Sequence, residues 1–521
     1  MTAQVGVDFV HDAGKAGARL LPETLGSGVA VFDANGDGRP DLLFVNGRDW
    51  KGSRRSVQGL YLNAGGRFTH ATRGSGLDVS LYGLGVAVGD YDNDGRDDVY
   101  ITALEGDRLF HNEGGGRFRD VTAREGIHNA SFGTSVAWLD FDRDGWLDLF
   151  VANYVAWDTA HDLWCSIDGR TKSYCTPESY HGTTSRLFHN RGAGRGFEDV
   201  TARAGVGDPT SKSLGVTILD YNGDGWPDLF VANDTQPNKL FRNNHDGTFT
   251  DEAMVRGVAY GEDGAARGAM GADAADYDRS GRPHLLVGNF ANQMLGLYHN
   301  DGRLFVDEAP RSPVGRASLL TLTFGVFFFD YDLDGLPDIF AANGHIEEQI
   351  ERIQANVHYR EPALVFHNAG GGRFEDASRA LGTALTTPMV ARGAAYGDLD
   401  GDGDLDLVVS TNGGPAHVFR NDGGNRNGWL RVRLIGSRSN RDGIGAVVRV
   451  ESASGAQWNM VRSGSSYCSQ SELPLTFGLG RDSRVNRLTV EWPSGTRQEF
   501  HDLAANQLVV VDEARGLQGA R

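Results

Sequence analysis

The chain has 521 residues, a formal net charge of −19 and 72 glycines. No run of 18 or more apolar residues exists, which excludes a membrane-spanning helix, and no basic patch of the kind that binds nucleic acid is present. The glycines fall in turns between short apolar runs, so their number marks turns and not disorder.

The first informative stretch along the chain is DANGDGRPD, starting at Asp33. Asp33, Asn35, Asp37 and Asp41 alternate around a Gly turn and, with the Arg39 carbonyl, make an all-oxygen set for a hard cation such as Ca²⁺. Loop two supplies Asp90, Asp92, Asp94, the Arg96 carbonyl and Asp98. Loop three supplies Asp140, Asp142, Asp144, the Trp146 carbonyl and Asp148, and loop four Asp220, Asn222, Asp224, the Trp226 carbonyl and Asp228. Loop six has Asp330, Asp332, Asp334, the Leu336 carbonyl and Asp338; loop seven has Asp398, Asp400, Asp402, the Asp404 carbonyl and Asp406. An EF-hand loop would run to twelve residues and lead into a helix. These end at the ninth residue and lead into strand-like runs such as LFVAN, so they are calcium loops in a β context. A single Asp-Gly-rich stretch reads equally well as a solvated hairpin turn; seven copies at one place in a repeating unit do not. Loop five, DYDRSGRPH from Asp276, has Ser280 and His284 where the others have carboxylates, and is expected to bind weakly or stay empty. About six Ca²⁺ per chain would bring the formal charge of −19 to about −7, so the acidity is largely a metal-site feature.

Between loops a second element recurs, as LYLNAGGRF, LFHNEGGGRF, LFRNNHDGTF and LYHNDGRLF. Loop starts lie 57, 50, 80, 56, 54 and 68 residues apart. Short strands with Gly turns at that period mean about four strands per unit, the pattern of a β-propeller blade. The expected fold is therefore all-β, a seven-bladed propeller over 1–424. The last unit lacks its final strand, and the N-terminal VGVDFVHDAG is expected to supply it and close the ring. Two insertions, 154–186 and 344–364, interrupt the array and are expected on one face, either as a binding face or as caps packed on themselves. The first carries Cys165 and Cys175, which either pair as a disulfide or stay as reduced thiols, leaving Cys468 over. From 428 to 513 the period stops and alternating short strands predict a small separate β domain.

The repeated DxDxDG loops and FxDVTAxAG segments resemble FG-GAP/VCBS repeats, and NRDGIGAVVRV, RSGSSYCSQSE, TFGLG and VEWPSG resemble the ASPIC/UnbV domain. Together they look like the bacterial relatives of cartilage acidic protein, a family with a branch found in enediyne polyketide gene clusters. The resemblance implies calcium ligands at the loop positions and no particular reaction.

Two functions are consistent with these residues. The first is a monomeric, calcium-stabilised binding module for a protein, glycan or small-molecule ligand, working outside the cytoplasm where weak calcium sites fill. MTAQVGVDFVHDAG has no charged-then-apolar leader, so on this reading the leader is absent from this chain; a cytoplasmic protein is the other reading. The second is an oxidative or accessory tailoring protein in enediyne-type polyketide biosynthesis, with Cu, Fe or Zn held by His11, His181 and His345 from non-repeat segments. Catalytic residues are not identifiable; RSGSSY around Ser465 lacks the frame of a nucleophile elbow. His111, His189, His299 and His367 recur in the LFHN strand, alternate there with Arg242 and Arg420, and are expected to be structural surface residues outside any site.

Overall fold

The structure, a computed structural model, describes residues 2–520. Seven antiparallel sheets follow one another between Val29 and Phe419. In blade three, for example, Gly133–Leu139, Asp148–Asn153, Arg186–Asn190 and Phe197–Asp199 pair in sequence order. The chain is a β-propeller. The innermost strand of each sheet packs against that of the next, and Ala391–Gly397 of the last packs against Val29–Phe32 of the first, so the ring is closed.

The innermost strands are buried on both faces, which is why they read as GLGVAVG or SLGVTIL without a polar alternation. Their central glycines allow the blades to approach. A Cβ on Gly85 would lie 2.2 Å from the Thr134 carbonyl, and one on Gly215 would lie 2.0 Å from the Met270 carbonyl.

Blade seven has three strands, Ala391–Gly397, Asp406–Thr411 and His417–Phe419. The N-terminal segment lies beside the last of them through Ala416 N to Phe9 O (3.0 Å), His11 N to Gly414 O (2.9 Å) and a bridge between Val10 and Pro415. It completes the blade as an irregular extended segment rather than a full strand.

Residues Gly428–Ala520 form two further four-stranded sheets, so the C-terminal unit runs past residue 513 to a last strand at Gly516–Ala520. Its core, including Val448, Leu488 and Trp492, is continuous with Tyr91, Trp138 and Leu147 of blades two and three. The unit sits on the end of the propeller that carries the Asp-rich loops. Asp442 accepts the Asp90 amide at 2.7 Å, Trp458 Nε1 donates to Asp276 at 2.8 Å, Gly480 N donates to the Leu333 carbonyl at 2.9 Å, and Arg431 Nη1 donates to Asp398 at 2.6 Å.

From this unit, residues 463–472 leave their own sheets and thread the propeller axis. Ser463 Oγ accepts the Trp138 amide, the Cys468 carbonyl accepts the Val86 amide, and Ser466 exchanges two backbone bonds with Ala272. Gln470 O accepts from Val31, Glu472 N donates to Tyr396 O, and the Tyr467 ring lies 4.9 Å from Phe324. The inner edge of a propeller leaves backbone groups unpaired, and this segment satisfies them from the inside. The centre of the ring is therefore filled along the axis by the chain itself. Ser465 is part of this filling.

The insertions lie at the opposite end. Cys165 and Cys175 are bonded in a disulfide, Cys468 is free and buried, and the second insertion contains one short 3-10 turn, Ile350–Arg352.

Candidate metal-binding ring

Loop three shows how a site is built. The inner strand Gly133–Leu139 delivers Asp140, and the second strand opens on Asp148. Gly145, at φ 89°, turns the chain back. The carboxylates also hold the turn: Asp140 Oδ2 accepts Gly145 N, Asp144 Oδ1 accepts Trp146 N, and Asp148 accepts Phe141 N at Oδ2 and Asn190 N at Oδ1. Oxygens of Asp142 and Asp148 and a His189 ring nitrogen lie within 4.8 Å of one another. Asp140 Oδ1 is buried with no hydrogen-bond partner. Burial and then the charges of Asp148, Asp144 and Asp142 push the Asp140 carboxyl up to about 8, and burial pushes Asp148 up to about 7.

The same orphaned oxygens recur at Asp92 and Asp98 in loop two, Asp276 in loop five, Asp332 in loop six, and Asp400 and Asp404 in loop seven. Buried polar atoms in native proteins are normally paired, and a cluster of partnerless carboxylate oxygens is stable when a cation joins it. Loops one and four keep the same turn with a neutral amide in third place: Asp33 accepts Gly36, Asp37 and Gly38 amides, and Asp220 accepts Gly223, Asp224 and Gly225 amides. Asp41 is pushed up to about 7 and Asp228 well above the carboxylate range, both by burial first. The Arg39 and Arg96 side chains fold back onto Asp37 and Asp94 and onto the Asn63 and Asn112 carbonyls. The donor sets of these six loops fit a hard divalent cation, whose charge would offset the crowded carboxylates.

The loops are linked to one another. The Asn that ends each third strand donates its backbone N–H to the ninth loop residue and its side-chain amide to the preceding blade's loop. Asn112 reaches Ala34 O, Asn190 reaches Tyr91 O, Asn243 reaches Phe141 O and Asn300 reaches Tyr221 O; Asn368, Asn421 and Asn63 reach Tyr277, Tyr331 and Leu399.

The family model described as FG-GAP-like repeat matches residues 33–101, 90–151, 168–231, 220–287 and 356–409, more than half of the chain. The chain belongs to the FG-GAP-like repeat family. A second model, ASPIC and UnbV, matches residues 436–518, the unit that sits on the loops. Cartilage acidic protein 1 of Mus musculus is 28% identical over 356 residues, 66% of this chain and 49% of the relative. The Homo sapiens protein is 28% identical over 309 residues, 57% of this chain and 43% of the relative. The match thus spans about half the length of these relatives. Among solved structures, a lectin from Agrocybe aegerita that recognises non-reducing terminal N-acetylglucosamine has a TM-score of 0.41 at 16% identity, covering 76% of this chain and 94% of its own. The BP39L lectin from Burkholderia pseudomallei has a TM-score of 0.43 at 10% identity, covering 75% and 94%.

In this FG-GAP chain four histidines stand elsewhere than expected. His111, His189, His299 and His367 are not detached surface residues but lie against loop carboxylates. His111 Nδ1 is 3.1 Å from Asp98, His189 Nδ1 3.0 Å from Asp148, His367 Nδ1 3.3 Å from Asp338, and His299 Nε2 3.0 Å from Asp278. The Asp338 carboxylate beside it raises His367 to about 9, and the hydrogen bonds to Asp98 and Asp148 raise His111 and His189. The position one residue before the bridging Asn was the available signal. Only Arg242 and Arg420 turn away, toward Glu252 and Asp422.

His11, His181 and His345 do not form one site. His181 is exposed on the insertion, whereas His11 and His345 are buried. The Nδ1 atoms of the two buried rings accept the Gly413 and Glu347 amides. Burial holds His11 down to about 3 and His345 to about 4, and the buried Arg392 cation opposes protonation of both. Arg392 itself donates to the Thr24, Gly344 and Ala391 carbonyls.

Proposed function

We propose that this protein is a calcium-stabilised binding module that works outside the cytoplasm. The observation that carries the reading is the set of buried, partnerless carboxylate oxygens in loops two, three, six and seven, which a hard cation would satisfy. The Cys165–Cys175 disulfide favours an oxidising compartment. The ASPIC and UnbV unit covers the loop end and its 463–472 segment fills the axis, which leaves the insertion-bearing end for a protein or glycan ligand. Here the ions are structural: they hold seven blades and the C-terminal unit in one rigid platform.

Elemental analysis of protein purified without added metal or chelator tests this, together with melting curves in calcium and in EDTA. Stoichiometric calcium and a lower melting temperature in EDTA are expected. Unchanged melting in excess EDTA would remove the structural role of calcium.

A further inference from the structure

Loop five is built differently from its neighbours. In the other six loops the ninth residue is an Asp whose carboxylate accepts the backbone N–H of the bridging Asn, as Asp41 does from Asn63 and Asp148 from Asn190. In loop five the ninth residue is His284, and the Asn300 N–H points at its Nδ1 at 2.9 Å. A backbone N–H can only donate, so Nδ1 accepts, and the ring proton sits on Nε2.

That Nε2–H points into the loop. It lies 2.8 Å from Asp278 Oδ1 and 4.0 Å from Asp276 Oδ1, a buried oxygen with no hydrogen-bond partner of its own, and His299 Nε2 meets the other Asp278 oxygen at 3.0 Å. The ring has no freedom to turn away. It is fully buried, packed 4.3 Å from Tyr277 and stacked 4.6 Å from His299. A cation in this loop would meet an N–H where the other loops present an oxygen. Ser280 removes a further carboxylate, and its amide donates to Asp278 at 2.9 Å.

The same blade grips the C-terminal unit. Asp276 Oδ2 accepts both Gly281 N (2.9 Å) and Trp458 Nε1 (2.8 Å). On the inner strand Ala269–Ala275 that leads into the loop, the almost fully buried Asp273 pairs with Arg462 at 3.0 Å, and Ala272 pairs with Ser466 of the axial segment.

We infer that loop five is closed to calcium, with the His284 imidazole N–H taking the place of the ion on Asp278, and that blade five is thereby a metal-independent clasp on the ASPIC and UnbV unit. The contrast with the other loops rests on the calcium reading above. The clasp depends only on hydrogen bonds within the chain.

Three measurements on the full chain test it. Calcium-dependent anomalous diffraction from the wild-type protein is expected at other loops and not at loop five. Native mass spectrometry of the variant carrying Ser280→Asp and His284→Asp is expected to show one calcium more per chain than the wild type. In EDTA, amide exchange over 456–466 is expected to stay slow while loops three and six speed up. Calcium at all seven loops overturns this inference alone. Calcium at none overturns it together with the proposed function. A folded double variant with no added calcium overturns the closed-loop assignment, and equal acceleration of 456–466 in EDTA overturns the clasp. Should the double variant not fold, the wild-type diffraction and exchange results decide.

Discussion

The Asn63 side chain donates to the Leu399 carbonyl at 2.7 Å across 336 residues of sequence. It is the last member of a series in which each blade's Asn holds the loop of the blade before it, and it is the one that joins blade one to blade seven. The Asp-rich loops are therefore members of a closed hydrogen-bonded ring, and a change in one loop reaches its neighbour through a single amide.

Replacing that amide should loosen the closure. Asn63→Ala leaves the buried Leu399 carbonyl without its side-chain donor, at a cost of about 1–3 kcal/mol. Amide exchange at Gly401 and Asp402 should accelerate, with loops three and four unaffected. Unchanged exchange in loop seven would show that the bridge does not couple the blades.

Chelated protein should lose stability as pH rises. Asp140 and Asp406 are both pushed up to about 8 by burial first, against about 4 in an unfolded chain. A carboxyl raised in the folded state contributes stability that is complete below the unfolded value and is lost as pH climbs through about 8. His367, raised to about 9 by Asp338, acts in the same direction between about 6.5 and its folded value. In EDTA the melting temperature should fall from pH 5 to pH 8.5 or so. Millimolar calcium should abolish the fall, because the ion replaces the protons. A flat profile in EDTA would count against carboxylate crowding as the source of metal affinity.

Two loop substitutions should differ in their dependence on chelation. Asp144→Ala removes a carboxylate whose Oδ1 holds Trp146 N, and its main loss should be seen in calcium and shrink in EDTA. Asp278→Ala leaves the His284 and His299 N–H groups without their acceptor, costing about 1–3 kcal/mol in either condition. Melting curves of both variants with and without EDTA separate these outcomes; a chelation-dependent Asp278→Ala effect would contradict the separation.

Arg431 is a buried electrostatic tie between the two units. It bonds Asp398 at 2.6 Å and Glu472 at 2.5 Å, with all three side chains buried. Arg431→Met leaves two buried carboxylates unpaired and should cost about 3–5 kcal/mol. Segment 463–472 should then become protease-sensitive. Continued protection would mean that its backbone bonds to the inner strands hold it without the ion pair.

The loops and the blade period were legible in the residues, because each loop's candidate ligands lie within nine positions of one another. At that range, covalent geometry and a Gly turn fix which carboxylates meet. The N-terminal completion of blade seven was legible for a related reason: a missing strand leaves an edge that some segment must cover. The histidines were misread because His189 reaches Asp148 across 41 residues and a third strand, and alternation with Arg at a surface-like position hid the contact. The docking of residues 428–520 on the loop end and the threading of 463–472 had no local signal at all. Ser463 meets Trp138 across 325 residues, and only the closed ring creates the unpaired inner backbone that draws that segment in. Local spacing determined what each loop could hold; the ring decided which side chains and which second unit would meet it there.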